Sequence, residues 1–309
     1  VQWQVSSDGG TTWNNISGAT TETYTFTASF GDNGKRYRAV FTNSAGSAAS
    51  SAAILTVNTP PTITTQPANQ TVTYGVASAN FSAAASGTVS SVRWRKSANG
   101  TTWEIVSGAT TSNLTIANPT VLMSGTQYRA EFSNVCGTTT SNAATLTVNK
   151  APVTATAGSY SGVYDGSSHS LSDCMVTGAY TVDLTCTNSP TSVGLNAGSG
   201  TISPVVSGTG LENYQITSIT GTWEITPAEP HCSISGFNGV YSGDPQGAAG
   251  YCTGIQGELL TGLNLGKSFT NVPGGTAFWA FADTSGNYTN ESGNVEIVIS
   301  KANPICSVN

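Results

Sequence analysis

Along this chain apolar side chains alternate with small polar or charged ones in short runs. Ala79, Phe81 and Ala83 alternate with Ser and Asn, Val92 and Trp94 flank Arg93, and Tyr128, Ala130 and Phe132 flank Arg129 and Glu131. A period of two places alternate side chains on one face, so each run predicts a half-buried strand. The polar positions are mostly Ser, Thr, Gly, Ala and Asn, with few of the Glu and Lys residues that coat the outer face of an amphipathic helix. Helix is expected to be almost absent. Trp, Tyr, Phe, Val and Ile recur at strand spacing throughout, which supplies the apolar area that a disordered Ser/Thr/Gly-rich chain lacks.

The pattern also repeats on a larger scale. VQWQVSSDGGTTWNNISGATT from Val1 returns as VRWRKSANGTTWEIVSGATT from Val92, and YRAVFTNSAGSAASSAAILTVN from Tyr37 returns as YRAEFSNVCGTTTSNAATLTVN from Tyr128, an offset of 91 residues. A fixed period of this length is the signature of tandem domains. A core Trp on one strand (Trp3, Trp94), the DGGTTW or ANGTTW turn, and a Tyr opening a later strand (Tyr37, Tyr128) resemble bacterial immunoglobulin-like domains over residues 1 to about 149. The resemblance implies β-sandwiches and says little about function. Antibody-type domains carry Cys two residues after that Tyr, whereas Ala39 and Ala130 stand here, so packing alone is expected to hold these two sandwiches.

A second repeat follows. SYSGVYDGSSHSLSDC from Ser159 parallels GFNGVYSGDPQGAAGYC from Gly236, and ITPAEPHCSI parallels ISKANPICSV; Tyr164 matching Tyr241 and Cys232 matching Cys306 give a period of 74 to 77 residues. The VYDG segment, a late strand bearing an aromatic (Trp223, Phe278) and the ITPA or ISKA exit resemble the MBG repeat domains of long secreted and surface proteins. The expected domains are 1–58, immunoglobulin-like without its first strands; 59–149, immunoglobulin-like; 150–227 and 228–301, MBG-like; and 302–309, the start of a further repeat. The linkers VNTPP, VNKAP, TPAEP and SKANP are short and carry proline, which restricts bending and implies a rod-like array of roughly 30–40 Å per domain.

Charge narrows the partners. Ten basic and sixteen acidic residues leave a formal charge of −6, with only 8% of residues charged, so no basic stripe is available for nucleic acid or anionic lipid. No run of 18 apolar residues occurs, direct membrane insertion is not expected, and any anchor and export signal are expected elsewhere. The six cysteines form no CxxC pair and the two histidines, His169 and His231, lie far apart, so disulfides in an oxidising compartment are expected rather than metal. Cys174 is expected to pair with Cys186, the two strands of a hairpin between them, and Cys232 with Cys252. Cys306 repeats Cys232, so its partner is expected beyond Asn309. Cys136, in NVCG where the first copy has Ala45, has no evident intrachain partner and reads as a free thiol or an intermolecular bridge.

Catalytic chemistry finds little support. His169 sits in the turn DGSSHS and His231 beside a proline, and no GxSxG elbow, phosphate-cradling glycine loop or HExxH occurs. No cofactor and no enzyme activity are expected. Turn acids such as Asp8, Asp32 and Asp165 read as solvated, and DTSGNYTNES lacks EF-hand spacing for calcium. The paired Trp3, Trp94, Trp13 and Trp103 read as buried structural residues and Trp223 as core, aligned with Ile297. Trp279 alone lacks an apolar counterpart and is the candidate for a sugar-stacking face. N-x-S/T triplets at Asn15, Asn69, Asn80, Asn99, Asn113, Asn287 and Asn290 follow from composition and are only formal glycan acceptors.

The expected whole is an all-β array of tandem antiparallel sandwiches, extracellular, secreted or on a cell surface. Its expected role is that of a non-catalytic stalk segment of an adhesin-like protein. Its partners are neighbouring domains or copies of the same protein, with glycans or other cell surfaces as further candidates. Two other roles fit the sequence: a polymerising filament subunit joined by strand or disulfide exchange, and a carbohydrate-binding module of a secreted enzyme. Val1 matches Val92, so the first copy has no counterpart of residues 61–91, which supply the opening strands of the second. Either the sequence is an excerpt of a longer polypeptide, the favoured expectation because the C-terminus also stops just inside a new unit, or a neighbouring molecule donates strands.

Overall fold

The computed structural model describes residues 1–303. All of its regular structure is β-strand apart from three short 3₁₀ turns, Phe30–Asp32, Val121–Met123 and Leu211–Asn213. The chain divides into two compact units, residues 1–150 and residues from 151 onward.

In the first unit, residues 59–149 form a complete sandwich. Ser91–Ser97 pairs antiparallel with Glu104–Ile105 on one side and with Gln127–Asn134 on the other. Gln127–Asn134 continues to Ala144–Asn149, which pairs in parallel with Gln70–Thr73. The opposing layer is Ser78–Ser82 with Asn113–Ala117, and Thr62–Thr65 with Ala84–Ser86 across a bulge at Ile63/Thr65. An early strand that joins the final strand in parallel, over an otherwise antiparallel two-layer sandwich, is an immunoglobulin-like arrangement.

The alternation seen in the sequence fills its core. Ala79, Phe81, Ala83, Trp94, Leu114, Tyr128, Ala130, Phe132, Leu146 and Val148 are all buried. Phe81, from one layer, sits 5.0 Å from the Tyr128 ring centroid and 6.5 Å from that of Trp94 in the other. The Trp94 indole N–H is satisfied by the Thr111 carbonyl at 2.9 Å, which lets a polar atom enter an apolar core.

Residues 1–58 repeat one layer of this sandwich with the same register. Trp3 lies opposite Ala39 as Trp94 lies opposite Ala130, and the Trp3 N–H reaches the Thr21 carbonyl at 3.1 Å. The strands are Gln2–Ser6, Asn14–Asn15, Arg36–Asn43, Gly46–Ala49 and Ala53–Ile54, all in one sheet. Residues 23–27, the counterpart of Asn113–Ala117, form no strand.

In the second unit one pattern occurs twice. Tyr160–Val163 runs parallel to Gly221–Thr226, and Asn238–Val240 runs parallel to Glu291–Ser300; each later strand also pairs antiparallel with a long neighbour, Gly198–Gly208 or Gly274–Phe281. A three-stranded sheet of Met175–Gly178, Ala151–Thr156 and Tyr214–Ile219 belongs to the first of the two, and the pair His231–Ser235 with Ala249–Thr253 to the second.

The structure joins Cys174 to Cys186, with Cα atoms 5.3 Å apart. The hairpin expected between them does not form: Met175–Gly178 pairs with Ala151–Thr156, whereas Leu184–Ser189 pairs with Gly198–Gly208, so this bond ties two sheets together. Cys232 and Cys252 are joined as a directly opposed cross-strand pair, Cα atoms 4.0 Å apart, and Cys252 is fully buried beside Ala228, Phe281 and Tyr288. Cys136 is exposed and unpaired among the described residues. Cys306 lies outside the described residues.

Candidate functional site

The residues that could carry chemistry are used by the fold. His169 Nε2 donates a 3.0 Å hydrogen bond to Asp165 Oδ1, and its ring stacks on Tyr160 at 4.6 Å. Asp165 is held below its ordinary range, first by the Ser167 backbone N–H and then by His169. His231 opens a strand and lies opposite Thr253. Asp8 accepts from the Thr11 and Thr12 backbone and from the Ser6 hydroxyl, and Asn99 serves the same turn in the second copy. These bonds, led by the Thr12 hydroxyl, hold Asp8 well below the usual carboxylate range. Asp32 is lowered in the same way, first by Lys35. Among the described residues no group of three or more His, Cys, Asp or Glu side chains could hold a metal ion.

The tryptophans divide by position. Trp94 is buried, but Trp13 and Trp103 are half-buried rather than core. Each lies beneath an arginine carried two strands away in the same sheet, Arg38 at 4.1 Å and Arg129 at 4.0 Å, a cation–π contact repeated in both copies. Trp223 is also half-buried: its ring covers Gly200, where an added Cβ would come within 2.6 Å of the indole nitrogen. Trp279 covers Gly293 on the paired strand in the same manner, with 2.7 Å to an added Cβ. A glycine opposite a large ring lets the ring lie flat across the sheet, so one face of Trp279 is occupied by its own domain.

The most heavily built polar cluster joins the two repeats of the second unit. Ala228, in the linker TPAEP, donates its N–H to the Asn287 carbonyl and accepts from the Thr289 N–H, both at 2.9 Å, which lays the linker along the 283–289 loop as a short parallel bridge. Asn287, 8% exposed, reaches back to the preceding repeat: its amide donates to Asn196 Oδ1 at 3.1 Å and its Oδ1 accepts the Ala197 N–H at 2.8 Å. Tyr164 meets Tyr288 edge-on at 5.6 Å, and the Tyr288 hydroxyl bonds Glu258 and accepts the Ile255 N–H. Asp283 is absorbed by its own turn, accepting from Ser285 and from the Tyr288 N–H at 3.0 Å, so the loop considered for calcium is closed by protein donors. Sequence patterning missed this cluster; the signal available was Asn-Tyr-Thr, one of the triplets set aside as a glycan acceptor.

Burial, and then the hydrogen bond to Glu258, push the Tyr288 phenol up to about 12. The unfolded chain ionises its tyrosines near pH 10, so between those values the folded state keeps a proton that the unfolded state has lost. The contribution is complete below about pH 10 and disappears as the pH rises towards 12. The domain of residues 228–301 is therefore expected to lose denaturation midpoint over that window, and Tyr288→Phe to remove this part of the alkaline dependence, as followed by urea titration at stepped pH.

A family described as Domain of unknown function (DUF8696) matches residues 1–59 and 62–150. Endoglucanase C of Cellulomonas fimi is 40% identical over 156 residues, which is 48% of this chain and 13% of that enzyme, so the chain spans a small fraction of the curated relative it matches. Among solved structures, immunoglobulin domains 1–4 of Sidekick-1 cover 97% of this chain and 90% of their own, at 12% identity and a TM-score of 0.32. The I-band fragment I67–I69 of titin covers 79% of this chain and all of its own, also at 12% identity and 0.32.

Proposed function

We propose that this chain is a non-catalytic spacer of a larger extracellular protein, in which immunoglobulin-like domains followed by MBG-like repeats hold a distal part away from its anchor. The observation that carries this reading is the joint at Ala228 and Asn287. Its hydrogen bonds connect one repeat to the next: the Asn287 backbone accepts from the linker residue Ala228, and the Asn287 side chain bonds Asn196 and Ala197 of the preceding repeat. A linker residue bonded through both its N–H and its C=O to the following repeat, whose Asn287 side chain also bonds the preceding repeat, resists bending, as a spacer requires. Disulfides tie each repeat of the second unit, in keeping with an oxidising compartment.

The match to endoglucanase C supports a narrower version, in which such domains space the parts of a secreted carbohydrate-acting protein. It also motivates the rival reading, a module that binds sugar itself. Titration of the protein with soluble cello-oligosaccharides and a broad glycan panel, followed by tryptophan fluorescence, separates the two. The spacer reading predicts no saturable change; a saturable change lost in Trp279→Ala would replace it with the binding-module reading.

A further inference from the structure

All five arginines of the chain, Arg36, Arg38, Arg93, Arg95 and Arg129, fall in the two immunoglobulin-like copies. Alternation puts them on one side of their sheets. Trp94, Tyr128 and Ala130 turn into the core of the second copy, so Arg93, Arg95 and Arg129 stand on the outer face. Arg36 and Arg38 flank Tyr37 in the same way in the first copy, where Ala39 is buried. The acidic average of the whole chain hides this arrangement. Its carboxylates are too few: Glu131 takes Arg95 at 2.6 Å and Arg129 at 4.0 Å, which leaves the exposed Arg93 without an ion pair among the described residues. Arg129 lies flat on Trp103, and a stacked guanidinium keeps its in-plane N–H edge for oxygen acceptors. Ile105, directly opposite Arg95 and 54% exposed, adds an apolar spot to the same face.

The second unit has the opposite character. Residues 151–303 carry eleven Asp and Glu side chains, two lysines and no arginine. In the sheet of Gly274–Phe281 and Glu291–Ser300, Ala277, Ile297 and Ile299 turn into the core, which leaves Thr276, Phe278 and Glu296 on the outer face. Phe278 is 70% exposed there. Glu296 is exposed as well and stands opposite Thr276, two residues along the strand from Phe278. Ile105 and Arg93 have the same relation, since Ile105 stands opposite Arg95, two residues from Arg93. Both are diagonal pairs across two strands, with a spacing of about 7–8 Å. An apolar side chain beside a guanidinium on one face thus matches a ring beside a carboxylate on the other.

We propose that the arginine-bearing outer face of residues 59–149 docks on the outer face of the Gly274–Phe281 and Glu291–Ser300 sheet of a second copy of this protein, with Arg93 against Glu296 and Ile105 against Phe278. Charge complementarity selects the partner, because the excess of arginine in one unit meets the excess of carboxylate in the other. The two surfaces are different, so the contact is heterologous and continues from copy to copy, joining molecules side by side. This association goes beyond the spacer reading and stands or falls independently of it.

Sedimentation velocity of the intact 309-residue protein tests it. At about 20 mM salt the sedimentation coefficient should rise with protein concentration, and the association should weaken at least about tenfold at about 500 mM salt, where charges are screened within a few ångströms. Arg93→Glu alone and Glu296→Arg alone should each leave the protein monomeric, because each makes the two faces alike in charge. An equimolar mixture of the two variants should associate again, since the reversed face of one then fits the reversed face of the other. Both side chains are exposed, so thermal unfolding of each variant should match that of the parent protein. A parent that stays monomeric at about 20 mM salt, association that survives either single substitution, or a mixture that fails to associate would overturn the proposal. Saturable binding of sodium polygalacturonate by a monomeric parent, lost in Arg93→Glu, would also overturn it and give the face to an acidic polysaccharide instead.

Discussion

Trp94→Ala is expected to destabilise the domain of residues 59–149 by about 3–5 kcal/mol, the range for removing a large aromatic from a close-packed core. Trp94 is 0% exposed, contacts Phe81 across the two layers and donates its indole N–H to Thr111, so its loss leaves both a cavity and an unsatisfied carbonyl. The matching Trp3→Ala is expected to cost less than half as much. Trp3 makes the equivalent hydrogen bond to Thr21 but has no Phe above it and stays partly in water. Chemical denaturation with peptide-resolved hydrogen exchange reads the two domains separately. Equal losses for the two substitutions would mean that the first copy already has a closed core.

The second large effect is expected at the buried disulfide. Replacing Cys232 and Cys252 together by alanine opens a loop with a sequence separation of 20 and should cost about 3 kcal/mol, with a further loss because Cys252 packs against Phe281 and Tyr288. The alkaline contribution of Tyr288 should weaken in the same variant, since Cys252 and Tyr288 share a core cluster. Replacing Cys174 and Cys186 opens a separation of only 12 between half-buried positions and should cost less. Thermal unfolding of the two variants against the parent protein tests the order.

Alternation made the strands legible, and the 91-residue repeat made the sandwich legible, because a strand buried on one face must keep its period to keep its core. Position in a repeat, however, marks constraint without saying which constraint. Trp13 and Trp103 recur for the sake of Arg38 and Arg129 above them on the outer sheet face, a pairing set by strand register and invisible to periodicity. Trp223 covers Gly200 across a strand pair and is half-buried, so alignment with Ile297 did not place it; Trp279 covers Gly293 in the same way. The Cys174–Cys186 bond spans two sheets although its short separation suggests a hairpin, because the intervening residues send one strand to each layer. The joint at Asn287 was the least legible feature. An Asn in a loop has no hydrophobic period, and its partners Asn196 and Ala197 lie about ninety residues away.

The spacer reading rests on each domain holding by itself while its neighbours stay attached, and force applied along the chain tests that directly. Held by its ends in a single-molecule pulling experiment, the protein is expected to unfold in separate steps, one for each closed domain. Two of those steps should lengthen when the disulfides are reduced. At about 3.5 Å per extended residue the release should grow by about 40 Å for the Cys174–Cys186 loop and about 70 Å for the Cys232–Cys252 loop. A single cooperative rupture of the whole chain, or extension without resisting steps, would contradict the account.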